Sequence, residues 1–178
     1  MISLLQGDRL YPAAAGGVPE DFLSAMKGIR IGPMAGSCGA AAYWSQPVIA
    51  GDIANDPLWD EHKKLALTHN LAACWSVPIL AGNGKVLGTL AAYQSKPSRP
   101  EKAHMALLQM TSGSAAIAIE QRLLTDQLAH QAHHDTLTEL PNRLLFQERL
   151  RQAILQARRS GNRSRLGSSV REIGRAHV

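Results

Sequence analysis

The stretch LAACWSVPILAGNGKVLGTLAAYQ, Leu71–Gln94, constrains the fold more than any other. Two apolar runs flank Gly82-Asn83-Gly84, and glycine and asparagine tolerate the backbone of a tight reversal, so the stretch reads as a β-hairpin. A hairpin this apolar has to be covered, and the rest of the chain supplies the cover. ISLLQGDRLYPAAA reads as two short strands around Gly7-Asp8, and PVIAGDI as one more. VPEDFLSAMKGI reads as a short helix, with Pro19 in its first turn and Gly28 at its stop. GPMAGSCGAAAYWSQ reads as a glycine-rich loop running into a helical turn of small residues. DPLWDEHKKLALTHN reads as one helix, with Asp56 as cap, Pro57 at the first helical position and Asn70 as its end.

After SKPSRP the longest helix is expected from about Glu101 to His134. Ile117, Leu124 and Leu128 fall seven and then four residues apart, the spacing of a seam that packs on a partner helix. Gly113 weakens its middle. Strands, helix, strands and a long helix in that order predict an α+β fold with a central antiparallel sheet and flanking helices.

The chain has 178 residues, enough for one domain with a core and a short attachment. No apolar run approaches the roughly 18 residues of a membrane span. The start, MISLLQGDRLY, lacks a basic region, a long apolar stretch and a cleavage site, which predicts a cytoplasmic protein with no membrane partner. Two cysteines, Cys38 and Cys74, are too few for a disulfide scaffold. The net charge of +5 lies at one end: residues 1–134 hold ten basic and ten acidic residues, and 135–178 hold nine and four. That basic end has no aromatic interleaving, so no nucleic-acid partner is expected.

Four segments, IGPMAGSCGAAAY, PVIAGDIANDPLW, LAACWSVPIL and GKVLGTLAAY, together resemble a GAF domain of bacterial signalling proteins over about residues 1–122. The resemblance implies an antiparallel sheet with helices packed on one side. It also implies a pocket between the sheet and the loops that carry the first two segments. The pocket candidates are Cys38, Tyr43, Asp52, Trp59, Cys74 and Trp75. Gly36 and Gly39 bracket Ser37-Cys38 and let backbone approach a ligand, and the two indoles offer apolar walls with an N–H. Each also has an ordinary structural reading: the tryptophans as core, and Asp52 and Asp56 as loop anchors or caps. The family's leading helix is missing before the first strand, so the start reads as truncated.

HDTLTELPNR resembles the entry of a GGDEF domain, the diguanylate cyclase fold. Asp135, Leu137, Thr138, Leu140, Pro141, Asn142 and Arg143 match, and Glu139 stands where that family usually has glycine. Residues 101–134 then read as a signalling helix, and 135–160 as the start of the cyclase domain. Residues 161–178 read as a disordered, non-native tail, whose last six letters, IGRAHV, resemble a translated sequencing adapter. The family's metal-binding Asp and Gly-Gly-Asp/Glu-Glu-Phe hairpin do not occur among the 178 residues. The expectation is a fragment: a sensor of a small ligand or of redox state, a homodimer through 101–134, with no catalytic residue, metal or cofactor of its own. The parent would make cyclic di-GMP from GTP with Mg²⁺, with room for a further cyclic di-GMP phosphodiesterase domain.

Two other readings compete. Cys38 in GSCG and Cys74 in AACWS occupy places similar to the catalytic cysteines of GAF-like free methionine-(R)-sulfoxide reductases, although Trp75 replaces the acidic residue those enzymes carry after the second cysteine. A purely structural dimerisation module is the other. His130, His133, His134 and Asp135 have helical spacing but lack a distant partner, so a solvated helix end is expected there and no metal site.

Overall fold

The computed structural model describes residues 1–133, their side chains as far as 128, and beyond these only Arg151 and Leu155. Two compact units are present, Met1–Glu120 and Gln121–Val178. The candidate GGDEF entry residues Asp135–Arg143 and the tail after 160 lie outside the described residues.

The first unit is built on six antiparallel strands. They are β1 (Ile2–Gln6), β2 (Arg9–Ala14), β3 (Ile29–Arg30), β4 (Val48–Ala50), β5 (Ala73–Leu80) and β6 (Val86–Gln94), in the spatial order β3-β2-β1-β6-β5-β4. The hairpin expected around Gly82–Gly84 is β5–β6, and Gly84 turns it at φ +82°. Gly7, at φ +62°, turns β1 into β2. Both positions favour glycine because a Cβ is disfavoured at positive φ.

Helices cover both faces of the sheet, where the family resemblance led one to expect a single side. Strand residues alternate between the faces. Val77, Ile79 and Leu90 face Ala116 of α4 (Lys102–His133), with Met105, Leu108 and Ile119 partly buried against them. Cys74, Ala91 and Leu10 face the opposite way. They pack with α1 (Glu20–Ala25), α2 (Gly36–Trp44) and the region around α3 (Lys63–Thr68), through Phe22, Met26, Cys38 and Ala66.

Two local expectations change. GSCGAAAYW is a nine-residue helix, α2, and not a loop entering a turn; every residue from Gly36 to Ala42 is buried. Its small side chains let the helix lie close on the sheet, and that burial outweighs the two glycines. The Asp56–Asn70 stretch is two pieces, a 3₁₀ turn at Pro57–Trp59 and then α3. Asp56 does cap the first piece, taking the Leu58 amide at 3.0 Å. Trp59 is fully buried against α2, and that tertiary anchor interrupts the rod. Asn70, at φ 57°, follows the end of α3 as expected.

Candidate functional site

The buried face of the hairpin meets the first turn of α2, and polar side chains collect there inside an apolar core. Ser37 and Cys38 point from α2 toward the sheet. The Ser37 hydroxyl accepts the Trp59 indole N–H at 3.0 Å and donates to the Cys74 carbonyl at 3.4 Å. The Trp59 ring lies over Gly36, 3.8 Å from where a Cβ would stand, which is ordinary contact distance. Cys74 is paired across the hairpin with Tyr93, so both side chains leave the same face. The Tyr93 hydroxyl lies 3.9 Å from the Cys38 sulfur, and its ring packs edge-on against Phe22 at 5.4 Å and Trp59 at 6.2 Å.

Both cysteines are free and buried, and both belong to one core cluster. The Ser76 and Thr89 hydroxyls are buried on the same sheet face. Neither has a hydrogen-bond partner, and both lie on the face that packs with Cys38. Against the opposing effect of burial, the neighbouring Cys74 thiol, and after it the Ser76, Tyr93 and Thr89 hydroxyls, favour the thiolate of Cys38 and bring it down to about 7. Burial, and then the neighbouring Cys38, push the Cys74 thiol well up. Burial and the two thiols do the same to Tyr93. The Met1 amino group donates to the Ala91 carbonyl at 2.8 Å nearby; burial lowers it and the thiols oppose that. One thiol is thus set to ionise before the other.

The six pocket candidates do not gather in one place. Cys38, Cys74 and Trp59 meet in this cluster. Trp75, the residue after Cys74, leaves the opposite face of β5; its N–H donates to the Ser98 carbonyl at 3.0 Å and its ring lies 5.5 Å from His104 of α4. Tyr43 is 53 % exposed at the outer end of α2, edge-on to Trp44. Asp52 holds its own loop, accepting from the Ala54 amide and from Asn55 Nδ2. It lines a separate cavity of about 400 Å³ with Gly51, Asp56, Ser98 and Arg99. Ser37, Ser76, Thr89 and Tyr93 were not singled out from the sequence. Face alternation from Cys74 would have reached Ser76.

A second cavity, about 490 Å³, opens beside the cluster between Gly16–Val18, His69–Leu71 and the end of β6. The half-buried Tyr93 ring forms part of its wall while the hydroxyl reaches in to Cys38. Among the described residues no three His, Cys, Asp or Glu side chains are grouped to hold a metal ion, and no helix is long and apolar enough to cross a membrane.

Residues 1–120 match the family model described as a GAF domain. Residues 132–166 match the one described as diguanylate cyclase, GGDEF domain. A curated relative, the methyl sulfide methyltransferase-associated sensor of Methanosarcina acetivorans, is 31% identical over 120 residues, which are 67% of this chain and 12% of the sensor. The chain therefore spans about an eighth of that relative's length. The GAF domain of an Acinetobacter phosphoenolpyruvate-protein phosphotransferase superposes with a TM-score of 0.56 at 15% identity, over 71% of this chain and 72% of that one. A type II free methionine-R-sulfoxide reductase from Thermoplasma acidophilum superposes with a TM-score of 0.51 at 16% identity, over 67% and 77%. At these identities the two structures speak for the fold alone.

Proposed function

We propose, because this chain belongs to the GAF family through residues 1–120 and continues into the start of a GGDEF domain, that it is the input half of a protein that sets cyclic di-GMP levels. The observation that carries this reading is the order of the parts: a sensory fold, a helix from Lys102 to His133, and a cyclase-type sequence directly after it. A ligand or redox event at the buried face of β5–β6 would bias how α4 packs. In a homodimer paired through residues 101–134, α4 would set how two cyclase domains meet over GTP and Mg²⁺. The Gly82 amide donates to Glu120 at 3.3 Å, which ties the hairpin turn to that helix and supports the coupling.

The 178 residues themselves should make no cyclic di-GMP. A cyclase needs carboxylates around the metal and the nucleotide phosphates, and the Gly-Gly-Asp/Glu-Glu-Phe hairpin that supplies them is not in the sequence. Incubation with GTP and Mg²⁺ or Mn²⁺ should give no product above a protein-free control.

The regulatory reading is tested on a complete protein carrying this module with a whole GGDEF domain. Product formation is compared with and without residues 1–120. Allosteric coupling of ordinary size predicts a change of about fivefold or more in either direction. Equal rates in both forms, with and without oxidant, would overturn it.

The paired thiols favour one alternative, a reductase acting on free methionine sulfoxide. It would show as thiol-dependent reduction of that substrate by the wild-type chain, lost in Cys38→Ser and in Cys74→Ser.

A further inference from the structure

We propose that Cys38 is a peroxide-reactive thiolate site resolved by Cys74, so that the buried face of the hairpin is a reversible two-electron switch. Its output rests on the sensory reading above, but its chemistry does not. Three independent features converge on the Cys38 sulfur. It sits in the first turn of a nine-residue helix, where unpaired backbone amides and the helix dipole favour negative charge. Ser76 and Thr89 leave the sheet face that packs with Cys38, and their buried hydroxyls have no hydrogen-bond partner. Leaving two hydroxyls unsatisfied in a core is costly unless something accepts from them, and a thiolate accepts from both. The Tyr93 hydroxyl lies 3.9 Å from the Cys38 sulfur, and Cys74 belongs to the same core cluster. Cys74 has the opposite surroundings: it lies on a strand, and burial and the charge at Cys38 keep it protonated. The same cluster therefore contains a nucleophile and a reserve thiol.

The route in is the cavity whose wall is the Tyr93 ring, since the thiols themselves are buried. A hydroperoxide is small enough to pass a ring displacement and carries the electrophilic oxygen the site needs. Cys38 sulfur attacks the distal peroxide oxygen. The O–O bond breaks, an alcohol or water leaves after protonation, and the sulfur becomes a sulfenic acid. Cys74 then loses its proton and attacks that sulfur. The S–S bond forms, the S–O bond breaks, and hydroxide leaves with the proton as water. The sum is two thiols plus ROOH giving one disulfide, ROH and water. A dithiol reverses it, becoming a cyclic disulfide while both cysteines regain their protons.

The strand that carries Cys74 also carries the link to the exit helix. Trp75, its neighbour on the other face, holds the Ser98 carbonyl and packs on His104 in the first turn of α4. A new bond between α2 and β5 would be felt there.

The experiment is a limiting hydrogen peroxide titration of the chain, quenched into denaturant with dimedone and localised by mass spectrometry of peptides. Wild type should lose two hydrogens with Cys38 and Cys74 joined, and dithiothreitol should restore them. Cys74→Ser should accumulate the dimedone adduct on Cys38. In Cys38→Ser, Cys74 should react about tenfold or more slowly, the ratio set by its smaller thiolate fraction near pH 7. Early time points in wild type locate the first oxidised sulfur without any substitution, which covers a variant that fails to fold. First oxidation at Cys74, or two thiols that stay reduced while the fold is intact, would overturn the proposal. Either result would leave the sensory reading standing, because residues 1–120 could still regulate through a bound ligand.

Discussion

Ser37 and Thr89 place the same chemical group in the same core, yet they should respond oppositely to its removal. The Ser37 hydroxyl takes the Trp59 N–H and gives to the Cys74 carbonyl. Ser37→Ala strands a buried indole N–H and should lower stability by about 1–3 kcal/mol in urea unfolding. The Thr89 hydroxyl has no protein partner in good geometry, and valine has nearly its shape. Thr89→Val should leave stability unchanged or higher while slowing alkylation of Cys38, because one polar neighbour that favours the thiolate is gone. A further test at this scale is pH. Cys38 falls from an ordinary 9.0 to about 7 on folding. A depressed pKa adds stability that is present above pH 9 and is lost as pH falls through 7. Cys74 and Tyr93 are raised, so their contributions are present at lower pH and are lost as pH rises past 9 to 10. The buried Met1 amine, lowered by burial, favours folding more as it loses its proton, which runs in the same direction as Cys38. Wild type should therefore gain on Cys38→Ala between pH 7 and 9, by on the order of 2 kcal/mol, measured as the difference in unfolding free energy at the two ends. A flat difference across that window would mean that folding does not lower the Cys38 pKa.

The hairpin shows why some elements were legible and one residue was not. Gly82-Asn83-Gly84 between apolar runs announced β5 and β6, and Gly7-Asp8 announced β1 and β2. The turn, however, closes with the Ala81 amide on the Lys85 carbonyl, and a register shift follows between Ile79 and Leu80. Counting pairs outward from the turn without that bulge would set Cys74 opposite Ala92 and send Tyr93 to the wrong face. No feature of the sequence marks the bulge, so Cys74 was found and its partner was not. The helix from Asp56 was misread for a related reason: its cap and proline are local signals, while the Trp59 anchor that interrupts it is tertiary. Gly88 supplies a prediction for the sheet itself. A Cβ there would stand 2.1 Å from the Ser3 carbonyl oxygen, at the β1–β6 ladder that joins the two halves of the sheet. Backbone cannot yield as a side chain can, so Gly88→Ala should cost about 2–3 kcal/mol and lower the melting temperature by roughly 10 °C. Gly82→Ala, with open space around its Cβ, is the control and should change little.

For the whole molecule, α4 settles what the chain needs beyond its own fold. A helix on a single domain is ordinarily apolar on one side. This one is apolar on two. Met105, Leu108, Ala116 and Ile119 serve the sheet, while Leu107, Met110, Ile117, Leu124 and Leu128 are each more than half exposed. Ile117, Leu124 and Leu128 were visible in the sequence by their spacing. Leu107 and Met110 were not, because without the sheet the two apolar faces overlap in the pattern. Together they extend one stripe at intervals of three, seven, seven and four residues, and Ser114 and Gln121 fill its intermediate turns. Exposed leucine at that spacing is favoured to pair with a copy of itself, and the polar interruptions weaken the pairing without erasing its register. The 178-residue chain should therefore self-associate reversibly. Its mass by light scattering should rise with concentration toward a dimer. Leu124→Glu with Leu128→Glu places like charges in the seam outside residues 1–120, so it should abolish association while leaving the melting temperature of the GAF domain unchanged. Met110→Glu should weaken association through the other end of the same stripe. Wild type and the double variant staying monomeric alike across the concentration range would show that the stripe is not an interface, and a homodimeric parent would then have to pair through other residues.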